Sequence, residues 1–249
     1  MVTVKFRSGK RSDRVALAES RVLVVAVDLG FSNKSKSCGI AWRPQSAAPG
    51  STLPKAESLR FDECIKRVAG LVYEDRKAVL IIEAPLSAVF DVDGNPVGRG
   101  DFEKSEAAKN DRTQGGRDGK ETPRYWYYGA GASMCLAAIF FLRRLTRQDQ
   151  PVAGTTTEII LFEGFISYKR RTVGKTTPKA RQTNISAHAE EARQLLRCFL
   201  DEKADSAKVR DVEKPKGGVV IPITSILEGS QSATAPAIIM PSKEERSSE

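Results

Sequence analysis

The sequence predicts an α/β protein, a mixed β-sheet with helices packed on both faces and one long inserted loop. Three observations lead there. Val22 to Val27 is an apolar run that ends in Asp28. Ala78 to Ile82 is a second run, and it ends in Glu83. Short continuous runs rich in β-branched residues are strands buried on both sides, so each face of the sheet needs a covering layer. After a hairpin-like start, helical periodicity alternates with further strands, the pattern of a layered α/β domain.

Residues 1–20 read as a polar, basic lead, partly ordered. Lys5, Arg7, Lys10, Arg11 and Arg14 precede no uninterrupted apolar stretch before Val22, which argues against a signal peptide. Residues 22–28 form the first strand, Phe31 to Lys36 turn the chain, and Ser37 to Trp42 return as the second. Arg43 to Pro54 is a connection rich in Pro, Ser, Ala and Gly, and Ala56 to Arg60 a short third strand. From Asp62 the spacing becomes helical, with Ile65, Val68, Ala69, Val72 and Tyr73 on one face. Residues 78–84 form the next strand, closed by Pro85. Residues 88–124 hold several glycines and nearly balanced charges, and read as a long inserted loop or flap.

The strongest helix runs from about Trp126 to Arg147, with Met134, Ala138, Phe141, Leu142 and Leu145 along one face. Arg143, Arg144 and Arg147 sit near its C-terminus, where the helix dipole favours cations. Glu158 to Phe162 is a buried strand, 168–181 a basic loop, 186–202 an amphipathic helix and 219–223 a late strand. Residues 21–240 thus form one domain with the 88–124 insertion, followed by a polar tail over 241–249.

Composition narrows the function classes. A net charge of +9 over 249 residues favours a polyanionic partner, nucleic acid first. Cys38, Cys64, Cys135 and Cys198 are scattered without a C-x-x-C pair, and His188 is the sole histidine. That argues against a zinc site or a disulfide framework and suits a reducing, cytoplasmic setting. The longest charge-free helical run, Gly129 to Leu142, is fourteen residues and too short to span a bilayer, so no membrane role is expected.

Two rigid strands, each delivering a carboxylate at its end, suit the binding of divalent cations, which take hard oxygen ligands. A strand-end acid also serves as a turn or helix-cap residue. The opening Val27-Asp28-Leu29-Gly30-Phe31-Ser32, with Cys38-Gly39-Ile40-Ala41 behind it, resembles the D-x-G…G-x-A start of RuvC-type resolvases in the ribonuclease H-like superfamily. Ile81-Ile82-Glu83 resembles the strand-end glutamate of that group. His188-Ala189-Glu190-Glu191-Ala192 resembles its H/D-x-x-D-A helix, with Glu191 where Asp is usual. The likeness covers roughly residues 22–202.

That resemblance implies a ribonuclease H-like mixed sheet in which the first and fourth strands are neighbours, so that Asp28 and Glu83 lie side by side. It further implies a Mg²⁺- or Mn²⁺-dependent nuclease acting on DNA or RNA. Asp28, Glu83, Glu191 and His188 would be its metal-binding and catalytic residues. The helix wheel agrees independently. Ala192, Leu195, Leu196 and Phe199 form the buried stripe, His188 points inward one turn earlier, Glu191 lies at the edge and Glu190 faces solvent. As a plain helix start, the same residues follow Ser186 as N-cap.

Lys169, Arg170, Arg171, Lys175, Lys179 and Arg181 form a run without acids that leads into this helix, suited either to phosphate contacts or to a solvated surface. Tyr125 to Tyr128 either stack on bases or staple a helix start to the core. Two other functions fit the same features. One is a catalytically inactive ribonuclease H-like module that binds nucleic acid or protein. The other is an actin-like or sugar-kinase-type ATPase, since Asp28 to Ser32 also resembles the first phosphate loop of those enzymes. The chain is short for that class and lacks a clear second D-x-G loop.

Overall fold

The computed structural model describes residues 3–44, 54–74, 76–100, 130–148, 156–165, 186–201, 209–228 and 234–239. It is a mixed α/β protein. Among the described residues lie strands β1 (Thr3–Ser8), β2 (Leu23–Asp28), β3 (Cys38–Arg43), β4 (Lys55–Leu59), β5 (Lys77–Ile82), β6 (Ser87–Phe90), β7 (Thr156–Gly164), β8 (Val209–Arg210), β9 (Val219–Pro222) and β10 (Ile238–Ile239). The helices are α1 (Arg11–Glu19), α2 (Phe61–Val72), α3 (Ala130–Leu145), α4 (Ala187–Leu200) and α5 (Ile223–Glu228).

The main sheet has the order β4-β3-β2-β5-β7-β10-β8. β2, β3 and β4 form an antiparallel meander, while β5 and β7 continue parallel to β2. β1 lies parallel along the first part of β7's outer edge, and β10 takes over where β1 stops. β6 and β9 form a separate antiparallel pair.

Alternation along the central strands sorts side chains into two cores. Leu23, Val25 and Val27 of β2, with Leu80 and Ile82 of β5, face α2 and α3. Val24, Ala26, Val79, Ile81, Ile160 and Phe162 face α1 and α4. Every residue of β2 is buried, as a central strand covered on both sides requires. The predicted helix faces match this packing. Ile65, Val68, Ala69 and Val72 of α2, Phe141, Leu142 and Leu145 of α3, and Ala192, Leu195, Leu196 and Phe199 of α4 are all buried.

Four findings extend the sequence reading or depart from it. The basic lead is an ordered strand and helix. Buried Phe6 alternates with Lys5 and Arg7 on β1, and α1 is held by Arg43, which donates to the carbonyls of Ala18 (2.6 Å) and Ser20 (2.9 Å). The predicted insertion begins with regular structure, since β6 reaches Phe90 and the chain bridges back at Pro96. The short elements β8, β10 and α5 have no counterpart in the sequence pattern. Leu86, Arg99 and Glu163 pack in the interior, where the sequence offers only a strand end and a loop. No helix among the described residues is long and apolar enough to cross a membrane.

Candidate metal centre at the sheet rim

β2, β5 and β7 are parallel neighbours, so their C-terminal ends share one rim. Val27 pairs with Ile82, and the Glu83 amide donates to the Val27 carbonyl at 2.8 Å. Asp28 and Glu83 therefore stand on adjacent parallel strands. The next strand carries a third acid at the same level, since Ile82 is the register partner of Glu163.

Helix α4 brings its first turn onto this rim. Ser186 caps it, its hydroxyl accepting from the Ala189 amide at 3.4 Å. The approach depends on Gly39, the register partner of Asp28. A Cβ at Gly39 would lie 1.8 Å from the His188 carbonyl oxygen, so the helix could not lie as close to β3 with any other residue. Gly39 is the second glycine of the D-x-G…G-x-A pattern. Gly30, the first, lets the β2–β3 loop close, because a Cβ there would sit 2.2 Å from the Ser37 carbonyl oxygen.

This geometry puts His188 Nδ1 at 2.6 Å from Asp28 Oδ2 and at 3.8 Å from Glu191 Oε2. One ligand atom from each of Asp28, His188 and Glu191 lies within 4.8 Å of the others. Asp28 is nearly enclosed, with 9 % of its side chain exposed, whereas His188 keeps 31 % and Glu191 21 %. The group is thus rooted in the core and open to solvent on the helix side. Glu83 is not part of it. Glu190 points away, with 45 % of its side chain exposed, and pairs with Arg193 at 2.6 Å. The six basic residues from Lys169 to Arg181, and Tyr125 to Tyr128, lie outside the described residues.

Asp28, His188 and Glu191 offer two carboxylates and an imidazole, donors that could hold a metal ion. Ligands in an octahedron with bonds of about 2.0–2.1 Å stand about 3 Å apart along its edges. The 2.6 Å contact between His188 and Asp28 is a hydrogen bond and the 3.8 Å separation from Glu191 exceeds that edge, so a bound cation would take the place of the shared proton and draw Glu191 closer. Two carboxylates suit Mg²⁺ and Mn²⁺ alike, while the imidazole nitrogen, a softer donor, tilts the preference towards Mn²⁺.

Two neighbouring features escape the sequence reading. Glu163 is fully buried and accepts from Arg99 Nη1 at 2.5 Å and from the Leu86 amide at 2.8 Å. These bonds pin the loop after β5 and the segment after β6 to the end of β7. The signal that singles out Asp28 and Glu83 is also present here, because Ile159 to Phe162 is an apolar run leading into Glu163. Behind Asp28, Cys38 and Cys64 form a buried thiol pair. The contact with Cys64 draws the Cys38 thiol below its usual range, and the same contact, with burial, pushes Cys64 well above it.

Comparison with protein-family models, curated proteins and solved structures finds no match to this chain.

Proposed function

We propose that this protein is a divalent-metal-dependent nuclease that hydrolyses phosphodiester bonds in nucleic acid, built on a ribonuclease H-like core. The observation that carries the reading is the convergence of Asp28, His188 and Glu191 within 4.8 Å at the rim where β2 and β5 end. Asp28, Glu191 and His188 would hold the cation, with Glu83 following the end of the adjoining strand. The bound cation would supply an activated water and neutralise charge building on the phosphoryl oxygens. The order β4-β3-β2-β5-β7 supports the fold assignment, since it makes the first and fourth strands of the predicted core, β2 and β5, parallel neighbours.

His188 has a second part in this reading. Its Nδ1 faces Asp28, which orients the ring, and its partial exposure leaves the imidazole able to move a proton at the solvent side. The test is cleavage of single-stranded, duplex and branched DNA and RNA with Mg²⁺ or Mn²⁺. Asp28→Asn keeps the side-chain shape and removes the charge, so its cleavage rate should fall by at least about 100-fold while the fold is retained. Wild-type cleavage by the variant overturns the assignment.

The 2.6 Å contact between His188 and Asp28 also favours a second reading. In an inactive binding module it would be a clasp fastening α4 to β2. Such a module binds nucleic acid or protein without carboxylate-dependent metal affinity, which metal titration distinguishes.

A further inference from the structure

We infer that the β2–β3 loop is a preformed platform for a single-stranded stretch of nucleic acid, with Phe31 stacking on a base and Lys34 and Lys36 holding the flanking phosphates. This rests on the nuclease reading for its biological sense, but not for its test. The loop begins three residues after Asp28 and ends at β3, whose Gly39 carries the first turn of α4. It therefore joins the strand end that carries Asp28 to the strand on which the first turn of α4 rests.

The loop is held in shape by its own polar groups. The Ser32 hydroxyl accepts from the amides of Lys34 and Ser35, both at 3.1 Å, and Ser37 Oγ accepts from the Ser32 amide at 3.0 Å. Asn33 clamps it to the start of α2, donating to Asp62 Oδ2 at 3.0 Å and accepting from the Asp62 amide at 2.8 Å. The Phe61 amide donates to the Ser32 carbonyl at 3.1 Å. A loop tied at so many points binds with little further ordering cost.

Among the described residues, what this scaffold displays packs little against the fold, although the Glu63 carboxyl is held below its usual range by Arg60 first and in part by the Lys36 ammonium. Phe31 is 55 % exposed, although the neighbouring apolar residue Leu29 is 3 % exposed. Lys34 and Lys36 are exposed and belong to none of the ion pairs among the described residues. An exposed aromatic ring on the same short loop as two exposed ammonium groups offers a stacking face for an unstacked base and counter-charges for the adjoining phosphates. A duplex keeps its bases stacked inside and offers the ring nothing, so the platform selects single strands. DNA and RNA share this chemistry.

The experiment is fluorescence anisotropy in EDTA, with labelled fifteen-residue oligo-dT, oligo-U and a DNA duplex as probes, over a range of salt. Phe31→Ala should weaken oligo-dT binding about 5- to 100-fold, and Phe31→Trp should restore it. Lys34→Ala with Lys36→Ala should lower the log–log salt slope for oligo-dT by about 1.4. The control is Lys214→Ala with Lys216→Ala, which removes the same charge from exposed positions before β9 and should leave the slope unchanged. Comparison of oligo-dT with oligo-U separates DNA from RNA. Wild-type affinity in Phe31→Ala, equal slope reductions in the two lysine pairs, or duplex bound as tightly as single strands each overturn the inference. Because EDTA removes the cation, failure of the cleavage panel would refute the nuclease reading without touching this result.

Discussion

Arg99 shows how one residue can hold a rim in place. Its guanidinium and the Glu163 carboxylate are both wholly buried and meet at 2.5 Å. Removing one member of such a pair strands the other charge in a medium that cannot solvate it. Arg99→Ala should therefore destabilise the fold by about 3–5 kcal/mol. Denaturant melts of the variant check this, and a loss below about 1 kcal/mol would show that water reaches Glu163. The pair is invisible in the sequence for a physical reason. An arginine among glycines reads as loop, and only the return of β7 beside β5 brings Glu163 within its reach. By contrast, the inward turn of His188 and the outward turn of Glu190 follow from the helix wheel, because a helix fixes the angle between neighbouring side chains.

Among the elements, the contact between β3 and α4 decides whether the candidate site exists. It is also where the sequence motif has a steric meaning, since Gly39 leaves room for the His188 backbone. Gly39→Ala forces α4 away from β3. It should cost about 1–3 kcal/mol, lowering Tm by about 2–4 °C for each of them. Mn²⁺ affinity should fall with it, because His188 and Glu191 move with the helix. Calorimetric titration reads that decrease, and unchanged metal binding in a destabilised variant would separate the helix packing from the metal site.

The long buried strands and amphipathic helices are readable because burial on one or two faces leaves a period in the sequence. β8 and β10 are two residues each, too short to carry any period. β1 has alternation in Val4-Lys5-Phe6-Arg7, but its many cations make it read as a lead. The basic connection ahead of α4 gives the other prediction at this scale. Replacing Lys169, Arg170, Arg171 and Lys175 with Ala should reduce the salt slope of nucleic-acid binding by about 0.7 to 0.9 for each phosphate that is no longer neutralised. The reduction should be similar across sequences, since phosphate contacts position without specifying. An unchanged slope would make the run a solvated surface.

For the whole molecule, the candidate site joins two parts of the chain that are far apart in sequence. Asp28 comes from a central strand, and His188 and Glu191 from a helix about 160 residues later. A cation bound among them would tie α4 to the sheet, because α4 packs on one face while β2, which bears Asp28, serves both cores. Metal binding must then appear as global stability. A ligand that binds only the folded state at 100 times its Kd adds about 2.7 kcal/mol. For a domain of this size that raises Tm by about 5–11 °C. Saturating Mn²⁺ should produce this shift in the wild-type protein, with a smaller one for Mg²⁺ at equal concentration because of the imidazole donor. Asp28→Asn should abolish the shift while keeping the metal-free Tm close to wild type, since an Asn carbonyl still accepts a hydrogen bond from the His188 ring. Scanning calorimetry with and without each metal decides the matter. Equal shifts in the variant and wild type would mean that the cation binds elsewhere. The convergence of Asp28, His188 and Glu191 would then be a polar clasp between β2 and α4, as the binding-module reading requires.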